Sequence, residues 1–388
     1  MRFFSTLTAF LTLSLASIVL AGPTPLKTVE RFQGAETSGK YIVQFKKGVV
    51  RKNWLSKLSK GSKAASWDLI NGIAVDVDEA ELNELRASTD VESISEDPLM
   101  SIFATQTNAT WGLQRITQTS ALTNQNAGST TFTYTYDDSA GQGVDIYIVD
   151  TGVLTTHREF GGRARWGTSF VGTSSDGHGH GTHVAGTAAG TTYGVAKKAN
   201  IIAVQVLNSS GSGSTSGIVS GLNWVLTQAR ASGRPSIVSM SLGGSAATSL
   251  DNAVASLTSA GIHVVVAAGN SNTNAANTSP ARAPSAITVG ATTVGDARAS
   301  YSNYGAVVDV FGPGSNVISS WIGSSNTATN SISGTSMATP HVAGVAAYLI
   351  SKDGNVSPAA LETKIKNLST KNAISGIPSG TVNNLVHI

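Results

Sequence analysis

The chain contains no cysteine. That absence excludes disulfides, thiolate metal sites, iron–sulfur clusters and cysteine nucleophiles together. Charge is sparse as well, at 13% of 388 residues, and downstream of residue 103 the only adjacent basic pair is Lys197-Lys198. Without a basic stripe, no nucleic-acid partner is expected. After the first 21 residues no apolar run is long enough to span a bilayer, so no membrane association is expected once those residues are removed. Internal repeats are lacking too. What is abundant is glycine, with 41 residues, in a composition that is 40% apolar. That is the profile of a folded chain, long enough for one large domain and a smaller one.

Residues 1–21, MRFFSTLTAFLTLSLASIVLA, place Arg2 ahead of an apolar stretch and end at Val19-Leu20-Ala21. This predicts a secretory signal peptide and an extracellular protein. Five N-x-[ST] sequons, at Asn108, Asn208, Asn277, Asn355 and Asn367, agree with export and are candidate glycosylation sites.

Residues 22–103 hold the Lys/Glu-rich helical text, and residues 1–103 together carry no net charge, with 12 basic and 12 acidic residues. Residues 40–46 read as a strand, 50–60 as a helix, 70–77 as a strand, 78–89 as a helix and 91–97 as a strand. A β-α-β-α-β order over about 80 residues predicts a small α+β unit. From residue 104 the text turns to Gly, Ser, Ala, Thr and Val, with 14 basic and 11 acidic residues. Near-continuous apolar runs at 144–150, 199–207, 236–243, 261–270 and 285–291 predict strands buried on both faces. Residues 215–233 and 248–261 have helical periodicity and end on Gly. The expected fold is α/β, a doubly wound, mostly parallel sheet.

In such a sheet, chemistry sits beyond the carboxyl ends of the strands. Asp150 ends the run VDIYIV, where an unpaired buried carboxylate would be costly. Asn270 follows HVVVAAG, where its amide could serve a developing oxyanion or merely make a turn. His178, His180 and His183 cluster in HGHGTH, ahead of an apolar helix; spacing alone does not say which is a base and which is structural. The HExxH metal pattern is absent. Ser336 stands in SGTSMATP, where a helix start would offer free N–H groups and a positive dipole end. Pro340 fits near the first turn of that helix, and Gly334 leaves room for a substrate backbone. An acid, a histidine and a helix-start serine are the ingredients of nucleophilic acyl transfer. The single D-[ST]-G triplet argues against an aspartic peptidase, which shares one proton between two carboxylates. Asp309, an acid inside AVVDVFGPG, needs either a calcium-like cation or a salt bridge.

DTG, HGTHVAG and GTSMATPHVAG, in the order Asp, His, Ser, are together highly specific. The chain resembles the subtilisin family of serine endopeptidases, in particular its proteinase K group. The likeness runs from about Ala104 to the C-terminus through TNATWGLQRI, SLGG, AAGN, YSNYG and FGPG. It implies a secreted endopeptidase acting on proteins and peptides, without a catalytic cofactor, and a monomer. By resemblance, Asp150, His180 and Ser336 are the triad, and Asn270 with the Ser336 N–H forms the oxyanion hole. His183 is then structural, and His178 sits where a polar residue lines the site. Gly211 and the Ser241-Leu242-Gly243 segment match edges between which an extended substrate adds as a strand. Ala267, Ala268 and Gly269 match a wall of the first specificity pocket, which implies broad specificity favouring large apolar or aromatic side chains. Asp309, with the carbonyls of Pro284 and Ala286, matches a structural calcium site.

Residues 22–103 resemble the family's propeptide, an intramolecular inhibitor, and 104–388 its peptidase domain. Self-cleavage is expected between Phe103 and Ala104, with Phe in the first pocket. Two departures stand out. The group usually carries disulfides and a cysteine near the catalytic histidine, whereas here Val184 follows His183 and there is no cysteine. The stretch GSSNTATNS at 323–331 is also longer than usual ahead of SGTSM.

Overall fold

A computed structural model of the chain describes residues 25–31, 37–98 and 103–388. The expected signal peptide lies outside the described residues, as do Met100, Ser101 and Ile102 ahead of the expected cleavage point. The chain divides into two compact units, 1–99 and 100–388.

In the first unit, Thr37–Phe45 pairs antiparallel with both Gly72–Val75 and Val91–Pro98. Short strands Val29–Glu30 and Ala65–Trp67 extend the sheet at its two edges, beyond the sequence expectation. Helix Glu79–Ala87 starts where the sequence places it, because Asp78 and Glu81 form a reciprocal capping box. The helix expected over 50–60 stops at Leu55. Val50 offers no side-chain cap, and the Ser59 N–H is taken by the Glu81 carboxylate at 2.6 Å instead of closing a helical turn. Val43, Phe45, Trp54, Ile73, Leu82, Leu85 and Ile94 make a core of this unit's own.

The second unit is built on a nine-stranded sheet. From one edge its strands run Thr370–Lys371, Asn384–Leu385, Val310–Pro313, Ile287–Thr292, His263–Ala267, Ser236–Met240, Asp145–Asp150, Asn200–Gln205 and Ala164–Ser169. All neighbours are parallel except the first pair. Every residue of the four strands from Ile287–Thr292 to Asp145–Asp150 is buried, as continuous apolar text requires of a sheet covered on both faces. Helices Thr215–Ser232 and Thr248–Ser259 pack with one apolar cluster. Helices His180–Ala189 and Thr335–Asp353 pack with the other. Ser214 caps the N-terminus of Thr215–Ser232, and Gly233 ends it in the left-handed conformation. Without disulfides, stability rests on these cores, at roughly 1.5–3 kcal/mol per fully buried large apolar side chain.

The chain enters the sheet at Asp145–Asp150, lays down strands on one side, then crosses to Ser236–Met240 on the other. That reversal opens a crevice beyond the carboxyl ends of those two central strands. Among the described residues, no helix is long and apolar enough to cross a membrane.

Candidate active site

Asp150 is the last residue of its strand and is fully buried. Its Oδ1 accepts from the Thr151 N–H at 2.7 Å and from His180 Nδ1 at 2.8 Å, with Oδ2 at 3.0 Å from the same nitrogen. His180 reaches it because it opens helix His180–Ala189 and the next residue is glycine. A Cβ at Gly181 would stand 2.1 Å from the Gly152 carbonyl oxygen, so only glycine lets the helix start lie against the DTG turn. Nδ1 donates to the carboxylate, which leaves Nε2 as the free acceptor. Burial disfavours the charged ring, but Asp150, helped by Asp176, outweighs it and holds the His180 pKa above the ordinary imidazole value.

Geometry separates the three histidines. His183 is fully buried, donates through Nε2 to the Val317 carbonyl at 2.9 Å, and is pushed by burial down to about 3. It is a neutral packing residue. His178 lines the cleft beside His180, with ring centroids 6.1 Å apart.

Ser336 is the second residue of helix Thr335–Asp353. Its hydroxyl donates to the Ser241 carbonyl at 3.3 Å, and the Ser241 hydroxyl donates back to the Ser336 carbonyl at 2.8 Å. The second bond has a cause in the sequence. Pro340 lies in the second turn of the helix, deeper than the sequence suggested, and has no N–H for the carbonyl four residues earlier. That orphaned carbonyl belongs to Ser336, and Ser241 satisfies it.

Asn270 follows strand His263–Ala267. Its Oδ1 accepts from the Thr335 N–H and hydroxyl, both at 2.8 Å, which commits the oxygen and frees Nδ2 as a donor. A Cβ built on Gly334 would lie 3.5 Å from Asn270 Nδ2 and 3.5 Å from the Ser336 nitrogen. The two donors thus flank one vacant volume beside the serine, a geometry suited to an oxyanion.

These groups border a cleft of ≈ 980 Å³. Residues 210–213, residues 241–244, and Ala267, Gly269 and Asn270 are among those that line it. The side chain of Asn208 shapes the first of these segments, accepting from the N–H groups of Ser210 and Ser212 at 2.9 and 3.1 Å. One expected wall residue falls elsewhere: Ala268 is wholly buried among Ala275, Val308 and Phe311 behind the cleft. All five sequon asparagines are exposed, and Asn277 itself borders the cleft.

Sequence reasoning passed over Asp176. This buried carboxylate accepts from Thr151 Oγ1 (2.9 Å), His178 N (3.0 Å), Gly179 N (2.8 Å), Thr182 N (3.0 Å) and Thr182 Oγ1 (2.6 Å). It ties the turn after Asp150 to the start of the His180 helix. An acid four residues before His180 was the available signal.

Asp309 takes the second of its two expected forms. Lys366 Nζ donates to its Oδ1 at 3.0 Å, and the Thr288 N–H donates to Oδ2 at 2.9 Å. Both oxygens are engaged, and the cation present is an ammonium. In this arrangement neither Asp309 oxygen is left free for a calcium ion shared with the Pro284 and Ala286 carbonyls. Phe103 and Ala104 both lie in strand Phe103–Ala109, opposite Asp137 and Tyr136 of strand Phe132–Asp137.

Residues 141–384 match the Subtilase family. A cuticle-degrading protease of Metarhizium anisopliae is 48% identical over 377 residues, covering 95% of this chain and 93% of that one. Proteinase R of Parengyodontium album is 45% identical over 360 residues, covering 92% and 90%. Among solved structures, a cold adapted subtilisin-like serine proteinase superposes with a TM-score of 0.65 at 46% identity, over 72% of this chain and 98% of the other.

Proposed function

The chain belongs to the subtilase family of serine endopeptidases, and on that premise we propose that Asp150, His180 and Ser336 cleave protein substrates through an acyl-enzyme. The observation that carries this reading is the buried Asp150 carboxylate on His180 Nδ1 at 2.8 Å, in one cleft with Ser336 and the free Asn270 amide. Rotation of the Ser336 hydroxyl from the Ser241 carbonyl to His180 Nε2 makes the serine a nucleophile. His180 takes its proton as Oγ attacks the scissile carbonyl. Asp150 holds the tautomer and stabilises the imidazolium without itself taking the proton. The developing oxyanion enters the volume between Asn270 Nδ2 and the Ser336 N–H. His180 then protonates the leaving amine, and water deacylates Ser336 by the same route reversed.

Substrate enters as an extended strand between residues 210–213 and 241–243. Main-chain bonds carry its affinity, so specificity is broad. Small residues at Ala267 and Gly269 leave room for a large apolar or aromatic side chain before the scissile bond. The protein is exported by residues 1–21 and made as a zymogen, with the first unit as its inhibitor. Cleavage between Phe103 and Ala104 would leave Ala104 at the head of a strand still paired through Thr105 and Gln106 to Thr135 and Tyr134.

The test is active-site mapping. Mature protein is treated with a fluorophosphonate and the adduct located by peptide mass spectrometry. One adduct on Ser336, lost in His180→Ala, is expected. A folded protein that takes no adduct would show the triad to be unassembled. Ser336→Ala protein should stay unprocessed at Phe103–Ala104; a mature terminus in that variant would remove self-cleavage from the proposal.

A further inference from the structure

The groups around Asp309 form a closed charge set. Lys366, on helix Pro358–Leu368, donates Nζ to Asp309 Oδ1 at 3.0 Å and to Glu362 Oε1, one turn earlier, at 2.9 Å. Lys371 donates to the Lys366 carbonyl and to Asn384 Oδ1, and Asn384 Nδ2 donates to the Asp309 carbonyl. The main chain of Asp309 bonds Thr288, its Oδ2 accepts from the Thr288 N–H, and its side chain is only 16% exposed. Lys366 therefore bridges two carboxylates while Lys371 lies beside it, so the four side chains sum to no net charge before any ion arrives. A divalent cation at Asp309 would have to displace Lys366 and would leave two positive side chains beside it. A hard cation also needs six to eight oxygens, whereas here both oxygens of the one carboxylate are already paired.

We propose that the Lys366 ammonium is the resident cation at Asp309, fastening helix Pro358–Leu368 to the central sheet, so that this position needs no calcium. A lysine tether differs from an ion in a way that can be measured. An ion is lost to a chelator and regained by mass action; a side chain is not.

The experiment uses the full chain with Ser336→Ala, which prevents self-digestion. Thermal unfolding is followed in excess EGTA and in millimolar calcium chloride, for this protein and for a version that also carries Asp309→Asn. The readout is the difference between their calcium responses. Equal responses are expected. A calcium-induced rise in midpoint that Asp309→Asn removes would overturn the proposal, since the ion would then sit at Asp309. Lys366→Met vacates the carboxylate and should unfold at lower temperature in EGTA, with calcium now restoring part of the loss; a midpoint equal to that of the parent would also overturn it. If the Asp309 variant does not fold, acetic anhydride labelling of the parent decides. Lys366 equally protected with and without calcium supports the tether, and Lys366 exposed by calcium refutes it.

Discussion

Gly334→Ala separates catalysis from folding. The backbone φ of Gly334 is 164°, extended and open to alanine. The added Cβ would meet Asn270 Nδ2 and the Ser336 nitrogen at 3.5 Å and the Ser336 Cβ at 3.7 Å, all ordinary contacts. Folding should not suffer. Replacing glycine at a compatible position stabilises a protein by about 0.4–1 kcal/mol through the unfolded chain. The methyl nevertheless stands where the oxyanion needs to lie, about 2.7–3.1 Å from the same two donors. In this family the loss of one such donor costs roughly 10²–10³-fold in kcat, about 2.7–4 kcal/mol. Screening both should cost at least about 10³-fold. The assay pairs kcat on a peptide nitroanilide with thermal unfolding of the same preparation. A kcat within tenfold of the parent would refute the assignment of that volume to the oxyanion. A fall in stability beyond about 1 kcal/mol would refute the packing argument.

The other predictions concern the groups around His180 and the buried histidines. Asp176→Asn keeps the shape but turns one oxygen into an NH₂ that faces donors, leaving a buried N–H unpaired; urea unfolding in the Ser336→Ala background should show a loss of about 2–3 kcal/mol. His180 must be neutral to act as a base, so its raised pKa puts the acid limb of kcat/KM above pH 6.5. Asp150, Asp176, His178 and His183 all face this ring, and Asp176→Asn removes a negative charge, so the limb should move to lower pH. An unmoved limb would confine Asp176 to a purely structural role. His183 and His341 are buried and neutral, with pKa pushed by burial down to about 3 and about 4. Their unfolded forms take up protons first, so their stability is complete above pH 6.5 and is lost as pH falls toward those values. Between pH 7 and pH 5 the two together should cost about 4 kcal/mol, offset in part by His180, whose shift has the opposite sign. Urea midpoints that stay flat across that interval would count against both assignments.

Much of this molecule was decided along the chain itself. Apolar runs without alternation set a sheet buried on both faces, because burial on both sides leaves no polar positions. Local chemistry also fixed the capping box at Asp78 and the left-handed stop at Gly233. Asp150, Asn270 and Ser336 were visible because each follows a strand or opens a helix, where side chains reach a crevice. Tertiary structure decided what depends on partners far away in sequence. The three histidines share one short segment, and only the approach of Asp150 through the gap left by Gly181 makes His180 the base. Asp176 gained its role from donors on two separate elements, and Ser241 from a carbonyl that Pro340 leaves unpaired. Ala268 alternates away from the cleft its neighbours line. Asp309 was ambiguous between an ion and a salt bridge until helix Pro358–Leu368 brought Lys366 across 57 residues. A sequence states which charge must be neutralised, and the packing of distant elements determines what neutralises it.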